Sequence, residues 1–197
     1  MSEKIALYIA DLRDILTKNK KRSEITNRTK ELFLPQILKK QFSLEEDKFE
    51  IINSEHGKPL IISPNGNDFH FNISHSGDMW ICATARCNIG IDIEKIKVGR
   101  KSIVEYYFTK EEQNYLAQSD NFDKSFFEIW TAKEAFAKFL GSGISATLLR
   151  QYTVSGEAIL YEKNVEAYIH SGMLNEEYIY SIACNSEDIT IELHSLT

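Results

Sequence analysis

Asp92 and Glu94 stand two residues apart in the run Gly90-Ile91-Asp92-Ile93-Glu94. Residues two apart on a strand point to the same face, so the spacing predicts two carboxylates side by side, with Ile91 and Ile93 turned into a core. A second run, Trp130-Thr131-Ala132-Lys133-Glu134-Ala135-Phe136-Ala137-Lys138, reads as a helix carrying a third carboxylate, Glu134, and two lysines, Lys133 and Lys138. Three carboxylates suit a hard cation such as Mg²⁺, which takes oxygen ligands and often bridges to substrate phosphates. Flanking lysines suit those phosphates. Plainer readings stand beside these. Lys95 and Lys97 continue a polar pattern that would make the acids an exposed strand face, and Glu134 and Lys138, four apart, form a common helix-surface pair.

The elements that must position these residues alternate along the chain. Ile5 to Ala10 reads as a strand, and residues 24 to 41 as a helix in which Pro35 predicts a kink or break. Ser43-Leu44-Glu45-Glu46 and Thr109-Lys110-Glu111-Glu112 are capping boxes. Strands are predicted at Phe49–Ile52, Pro59–Ile62, Phe69–Ile73, Met79–Arg86 and Ile89–Ile96, with a turn at Asn65–Asp68. Helices follow at Ile103–Phe108, from Thr109 to about Ala117, and at Ser125–Leu140, the last ending at Gly141-Ser142-Gly143. Strands return at Gln151–Val154, Ala158–Tyr161, Val165–Ile169 and Tyr178–Cys184, with another at Ile189–Leu193. The order predicts an α+β protein in two halves, 1–97 and 98–197.

Bulk properties narrow the class. With 43% hydrophobic residues in 197, three prolines and no low-complexity run, the chain has ample material for a packed core. A net charge of −6 disfavours nonspecific nucleic-acid binding, which needs basic surface. The basic cluster Lys18, Lys20, Lys21, Arg22, Arg28 and Lys30 is either a solvated helix face or a local anion site. Three cysteines without metal-binding spacing point to free thiols in a reducing compartment, with Cys82 and Cys184 in the core. The apolar run near the start is too short for export or a membrane span, so the expectation is a soluble cytoplasmic protein that engages no membrane.

The two runs together resemble the signature of the Sfp-type 4′-phosphopantetheinyl transferases: Gly-Ile-Asp-x-Glu, a few dozen residues, then Trp-x-x-Lys-Glu-(Ala/Ser)-x-x-Lys. Every fixed position is filled. Two further family segments lie upstream, Gly57-Lys58-Pro59 and Phe71-Asn72-Ile73-Ser74-His75-Ser76. The resemblance implies a pseudo-dimer of two similar α/β halves with the active site at their interface. It also implies a reaction: the 4′-phosphopantetheine arm of coenzyme A moves to a serine of an apo acyl or peptidyl carrier protein, and 3′,5′-ADP leaves. Mg²⁺ would be held by Asp92, Glu94 and Glu134. Glu134 would also be the general base, unless a metal-held water takes that part, and Lys138 would neutralise the pyrophosphate.

Other roles follow from the same resemblance. Ser74 and His75 would contact coenzyme A phosphates, Lys58 and Pro59 would lie beside the adenine, and Arg28 would reach the 3′-phosphate, with Lys20, Lys21 and Arg22 as substitutes for further basic residues. Lys133 matches the motif and is grouped with the coenzyme A-binding residues, though it need not share a face with Lys138 and could instead tie the helix to the acidic strand. Trp130 is expected in the core. Tyr106, Tyr107 and Phe108 cannot all face one core, so one or two are expected at a carrier-binding surface with Lys95, Lys97, Arg100, Lys101 and Lys110. The length suits a monomer. Two rivals remain: a noncatalytic coenzyme A- or carrier-binding module, which loss of a carboxylate or of Lys138 would have signalled, and an unrelated Mg²⁺-dependent phosphate enzyme, whose nucleotide loop is missing from the sequence.

Overall fold

The run Met79-Trp80-Ile81-Cys82-Ala83-Thr84-Ala85 is buried at every position. A strand of this kind needs cover on both faces, and the fold provides it. In the computed structural model, which describes residues 2–15, 22–43, 49–54, 58–62 and 69–196, the strands are β1 (Glu3–Asp11), β2 (Glu50–Asn53), β3 (Pro59–Ile62), β4 (His70–Ser76), β5 (Met79–Ala85), β6 (Ile89–Lys95), β7 (Thr153–Ser155), β8 (Ala158–Tyr161), β9 (Asn164–Leu174), β10 (Tyr178–Cys184) and β11 (Ile189–Ser195). The helices are α1 (Leu12–Ile15), α2 (Arg22–Phe42), α3 (Lys101–Tyr107), α4 (Lys110–Gln118), α5 (Phe122–Leu140) and α6 (Ala146–Leu149).

One sheet runs β11-β1-β5-β4 and a second β6-β10-β9-β8-β7, with β2 and β3 paired separately. Alternation divides each central strand between two cores. Tyr8, Trp80 and Cys82 face Leu34, Ile37 and Leu38 of α2, while Ile5, Leu7 and Ile81 meet Ile91, Ile93, Tyr180 and Ile182 of the second sheet. The other face of that sheet packs Ile159, Ile169 and Ala183 against Ala132, Ala135 and Phe136 of α5. The layers are therefore helix, sheet, sheet, helix, a mixed α/β arrangement as expected from the order of elements.

The sheets do not divide at residue 97. β6 precedes that point yet pairs with β10 in the second sheet, and β11, from the end of the described chain, lies parallel to β1 in the first. Of the kink or break expected at Pro35, no break occurs: α2 continues through it. Packing of Leu34, Ile37 and Leu38 outweighs the roughly 3 kcal/mol that an internal proline costs. The capping box at Thr109 forms in both directions, Glu112 N–H to Thr109 Oγ1 at 3.3 Å and Thr109 N–H to Glu112 Oε2 at 2.8 Å. Gly141 closes α5 at φ +69°. The other box and the turn at 65–68 fall on residues 44–46 and 65–68, outside the described residues. Cys82 and Cys184 are buried and free, and Cys87 is also free. Among the described residues no helix is long and apolar enough to cross a membrane.

Candidate active site

Gly90 sets the distance between strand and helix. A Cβ there would lie 2.0 Å from the Ala135 carbonyl oxygen and 2.4 Å from the Phe139 nitrogen, so only glycine allows β6 to approach α5 this closely. Because Gly90 faces α5, Asp92 and Glu94 face it too, and Ile91 and Ile93 fill the core between the sheets. Asp92 is 5% exposed. Lys138 Nζ approaches its Oδ1 to 2.8 Å and also donates to Ser74 Oγ (2.9 Å) and the Ile91 carbonyl (3.0 Å). All three protons of the ammonium are engaged. Ser74 is saturated as well: its hydroxyl donates to Asp92 Oδ1 at 2.7 Å and accepts from Lys138 and from the Ile93 N–H at 3.3 Å.

Glu134 comes from the same helix and feels both acids. Burial first, then the charge of Asp92, pushes its carboxyl up to about 8, Lys138 opposing and Glu94 adding to the rise. Burial also raises Glu94, against the hydrogen bond from Ser76. Among the described residues no three histidine, cysteine, aspartate or glutamate side chains already close on one point as a metal cage. The donor set still fits a hard divalent cation. Asp92 Oδ2 is buried without a hydrogen-bond partner among the described residues, and the charges of Asp92 and Glu94 both act on the Glu134 carboxyl.

Lys58 Nζ is turned toward the end of α5, donating to Asn88 Oδ1 (2.9 Å) and the carbonyls of Ile89 (3.1 Å) and Phe139 (3.4 Å). It stabilises the exposed carbonyl end of the helix, and burial pushes the amine down to about 8. Lys58, Pro59 and Lys138 line one cavity of about 220 Å³ together with Asn72, Gly141 and Ile144. A larger cavity of about 840 Å³ opens between α4, α5 and β7–β9, and none of the residues predicted for the site lines it.

Other predicted residues stand apart from this cluster or fall outside the described side chains. His75 is exposed on the opposite face of β4 from Ser74. Arg28 falls within α2, but its side chain and those of residues 22–27, like Lys20 and Lys21, lie outside the described ones. Lys133 is 0% exposed and points away from the carboxylates. It pairs with Glu112 at 3.0 Å and donates to the carbonyls of Leu149 (2.8 Å) and Tyr152 (2.7 Å). Its place among coenzyme A-binding residues is corrected to a structural one, because its ammonium is enclosed and fully used; it holds α5 to α4 and the 149–154 segment, not to the acidic strand. Trp130 is half-buried in an aromatic stack with Phe108 and Phe126 and meets Tyr107 edge-on. Of the three consecutive aromatics, Phe108 is buried and Tyr106 is 64% exposed.

Residues not foreseen for the site are Asn72 and Ser76. With Ser74 they form one polar face of β4, and that face is buried against β6. Asn72 Oδ1 accepts from the Ile91 N–H at 3.0 Å and Ser76 Oγ from the Lys95 N–H at 3.1 Å. Their alternation with Phe71 and Ile73 was the available signal, but alternation reads a polar face as solvent-facing.

A family profile described as the 4′-phosphopantetheinyl transferase superfamily matches residues 88–183, from the turn before β6 to near the end of β10. The Bacillus subtilis 4′-phosphopantetheinyl transferase Sfp is 39% identical over 114 residues, 57% of this chain and 50% of that protein. The Bacillus pumilus 4′-phosphopantetheinyl transferase psf-1 is 33% identical over 142 residues, 70% and 60% of the two chains. Over these segments the chain is similar to the 4′-phosphopantetheinyl transferase superfamily, Sfp-type enzymes among them. The mouse L-aminoadipate-semialdehyde dehydrogenase-phosphopantetheinyl transferase is 29% identical over 133 residues, 60% and 43% of the two chains. The chain spans about half the length of the curated relatives it matches. The profile's segment contains Asp92, Glu94, Glu134 and Lys138, whereas Arg28, Lys58, Pro59, Ser74 and His75 precede it.

Proposed function

We propose that this protein transfers the 4′-phosphopantetheine arm of coenzyme A to a serine of an apo acyl or peptidyl carrier protein, releasing 3′,5′-ADP. The observation that carries the reading is the buried Asp92–Ser74–Lys138 cluster facing Glu94 and Glu134, four of whose five residues lie in the segment that matches the superfamily. The two sheet-and-helix layers act as the halves of a pseudo-dimer, and the active site is the seam between β4 of one and β6 and α5 of the other.

Asp92, Glu94 and Glu134 would hold Mg²⁺, which when bound supplies positive charge to the pyrophosphate as its P–O bond breaks. The remaining work falls to the chain. The serine oxygen bonds to phosphorus, the bond to the 3′,5′-ADP oxygen breaks, and Glu134 accepts the serine proton. Lys138 exchanges its bond to Asp92 for a phosphate oxygen. A phosphate contact by Ser74 likewise requires its single proton to leave Asp92. Lys58 and Pro59 wall the small cavity beside the cluster, where the adenine is placed in this reading; Arg28 and His75 are assigned to the phosphates. Tyr106, with the exposed Lys97, Arg100 and Lys101, offers an apolar and basic surface to an acidic carrier helix. The protein acts as a soluble monomer in this reading.

The test is intact-mass spectrometry of apo carrier proteins incubated with the protein, coenzyme A and Mg²⁺. The expected result is a mass gain of one phosphopantetheine arm, lost with EDTA and with folded Asp92→Ala. No gain on carriers from several pathways, with calorimetry still showing coenzyme A binding, would instead indicate a noncatalytic binding module.

A further inference from the structure

β4 is an edge strand of the first sheet and β6 an edge strand of the second. The two do not pair backbone to backbone. Instead Asn72 Oδ1, Ser74 Oγ and Ser76 Oγ accept from the N–H groups of Ile91, Ile93 and Lys95, every second residue along β6. A row of side chains thus replaces a ladder along the strand that carries Asp92 and Glu94. Each serine hydroxyl has one proton, and each directs it to the adjacent carboxylate: Ser74 to Asp92 Oδ1 at 2.7 Å and Ser76 to Glu94 Oε2 at 2.6 Å. Asp92 has Lys138 as a second partner, whereas among the described residues Ser76 is the hydrogen-bond partner of Glu94.

Ser76 is itself held firmly. It is 8% exposed, and the turn that follows it, Gly77-Asp78, is pinned from the second sheet by the Tyr178 hydroxyl, which accepts from the Asp78 N–H at 3.3 Å. A Cβ on Gly77 would come within 2.6 Å of that hydroxyl, and Gly77 sits at φ +56°. The donor that aims Glu94 therefore has little freedom.

We propose that Ser76 is a positioning residue that orients the Glu94 carboxylate for divalent-cation binding, acting through Glu94 and not on the substrate. This rests on the reading of Asp92, Glu94 and Glu134 as cation ligands. A hydroxyl that fixes one ligand oxygen leaves the other directed at the ion and removes the need to order the carboxylate on binding. Loss of such outer partners typically weakens metal affinity by about 10- to 100-fold.

The experiment is a Mn²⁺ titration followed by electron paramagnetic resonance, with coenzyme A saturating, on wild-type protein and on Ser76→Ala, Ser76→Cys and Ser76→Thr. Circular dichroism checks the fold, and the coenzyme A Kd is measured separately. Ser76→Ala is expected to weaken Mn²⁺ about tenfold or more while leaving the coenzyme A Kd unchanged, and Ser76→Thr, which keeps the hydroxyl, to restore it. If Ser76→Ala does not fold, Ser76→Cys serves, because a thiol of similar size is a poor donor. Equal Mn²⁺ affinity in wild type and a folded Ser76→Ala or Ser76→Cys would overturn the proposal while leaving the metal reading in place. No Mn²⁺ binding by the wild type would overturn both.

Discussion

Asp92 concentrates the problem that the site must solve. One of its oxygens is crowded by a hydroxyl and an ammonium, and the other is buried with no partner among the described residues. An unsatisfied buried oxygen costs stability unless a ligand completes it. Glu134 carries the same strain as a raised carboxyl, pushed to about 8 by burial and by the neighbouring Asp92 and Glu94 charges, against the Lys138 ammonium. The sign follows by linkage. Between its ordinary value near 4.3 and about 8, the folded state holds a proton at Glu134 that the unfolded chain has released. The penalty is absent below that window and complete above it. In EDTA, stability should therefore fall as pH rises from about 5 to 8, and Glu134→Gln should flatten the slope. Melting temperatures across that range check it; an unchanged slope in Glu134→Gln would assign the effect to other groups.

At the scale of elements, α5 is held by devices at several points. Gly90 permits its approach to β6. Thr131 Oγ1 meets Ser181 Oγ at 2.8 Å, and Ser181 in turn meets Ser171 Oγ of β9 at 2.8 Å. Lys58 and Asn88 both donate to its C-terminal Phe139 carbonyl. Lys133 and Glu112 form a buried pair at 3.0 Å whose remaining hydrogen bonds go to the backbone of residues 109 and 149–154. Removing one partner of such a pair typically costs about 3–5 kcal/mol, because the other charge remains enclosed. Lys133→Ala should show a loss of that order in urea unfolding. Adding Glu112→Leu should recover only part of it, since the Thr109 and Val154 N–H groups and the Leu149 and Tyr152 carbonyls lose their partners. A Lys133→Ala protein as stable as wild type would show that the pair contributes no net stability.

For the whole molecule, the consequential feature is exchange of strands between the layers. β6 leaves the first half of the chain to join the second sheet, and β11 returns to lie beside β1. Neither layer is complete without a strand from the other half. A fragment of residues 1–97 would expose Ile89, Ile91 and Ile93, and a fragment of residues 98–197 would leave the β10 edge open and β11 without its partner. Each fragment alone should give poorly dispersed amide resonances, and mixing the two should restore dispersion. A well-dispersed spectrum from either fragment alone would mean that the halves are independent folding units.

Local rules made a good part of this legible in the amino-acid order. The bounds of β8 and β10, the Thr109–Glu112 box, the glycine stop of α5 and the common face of Asp92 and Glu94 all follow from period, capping chemistry and turn residues, which act over a few positions. Tertiary structure alone decided the rest, because it depends on partners far along the chain. Periodicity could not reveal that the polar face of β4 is buried, since the β6 groups that meet Asn72, Ser74 and Ser76 lie 18 or 19 residues away on another sheet, and Lys138, which also meets Ser74, lies 64 away on α5. Nor could it direct Lys133 to Glu112, or carry α2 through Pro35, where burial of the helix's apolar face outweighs a local preference. A charged side chain is ambiguous in sequence; its role depends on which opposite charge the fold brings within 3 Å of it.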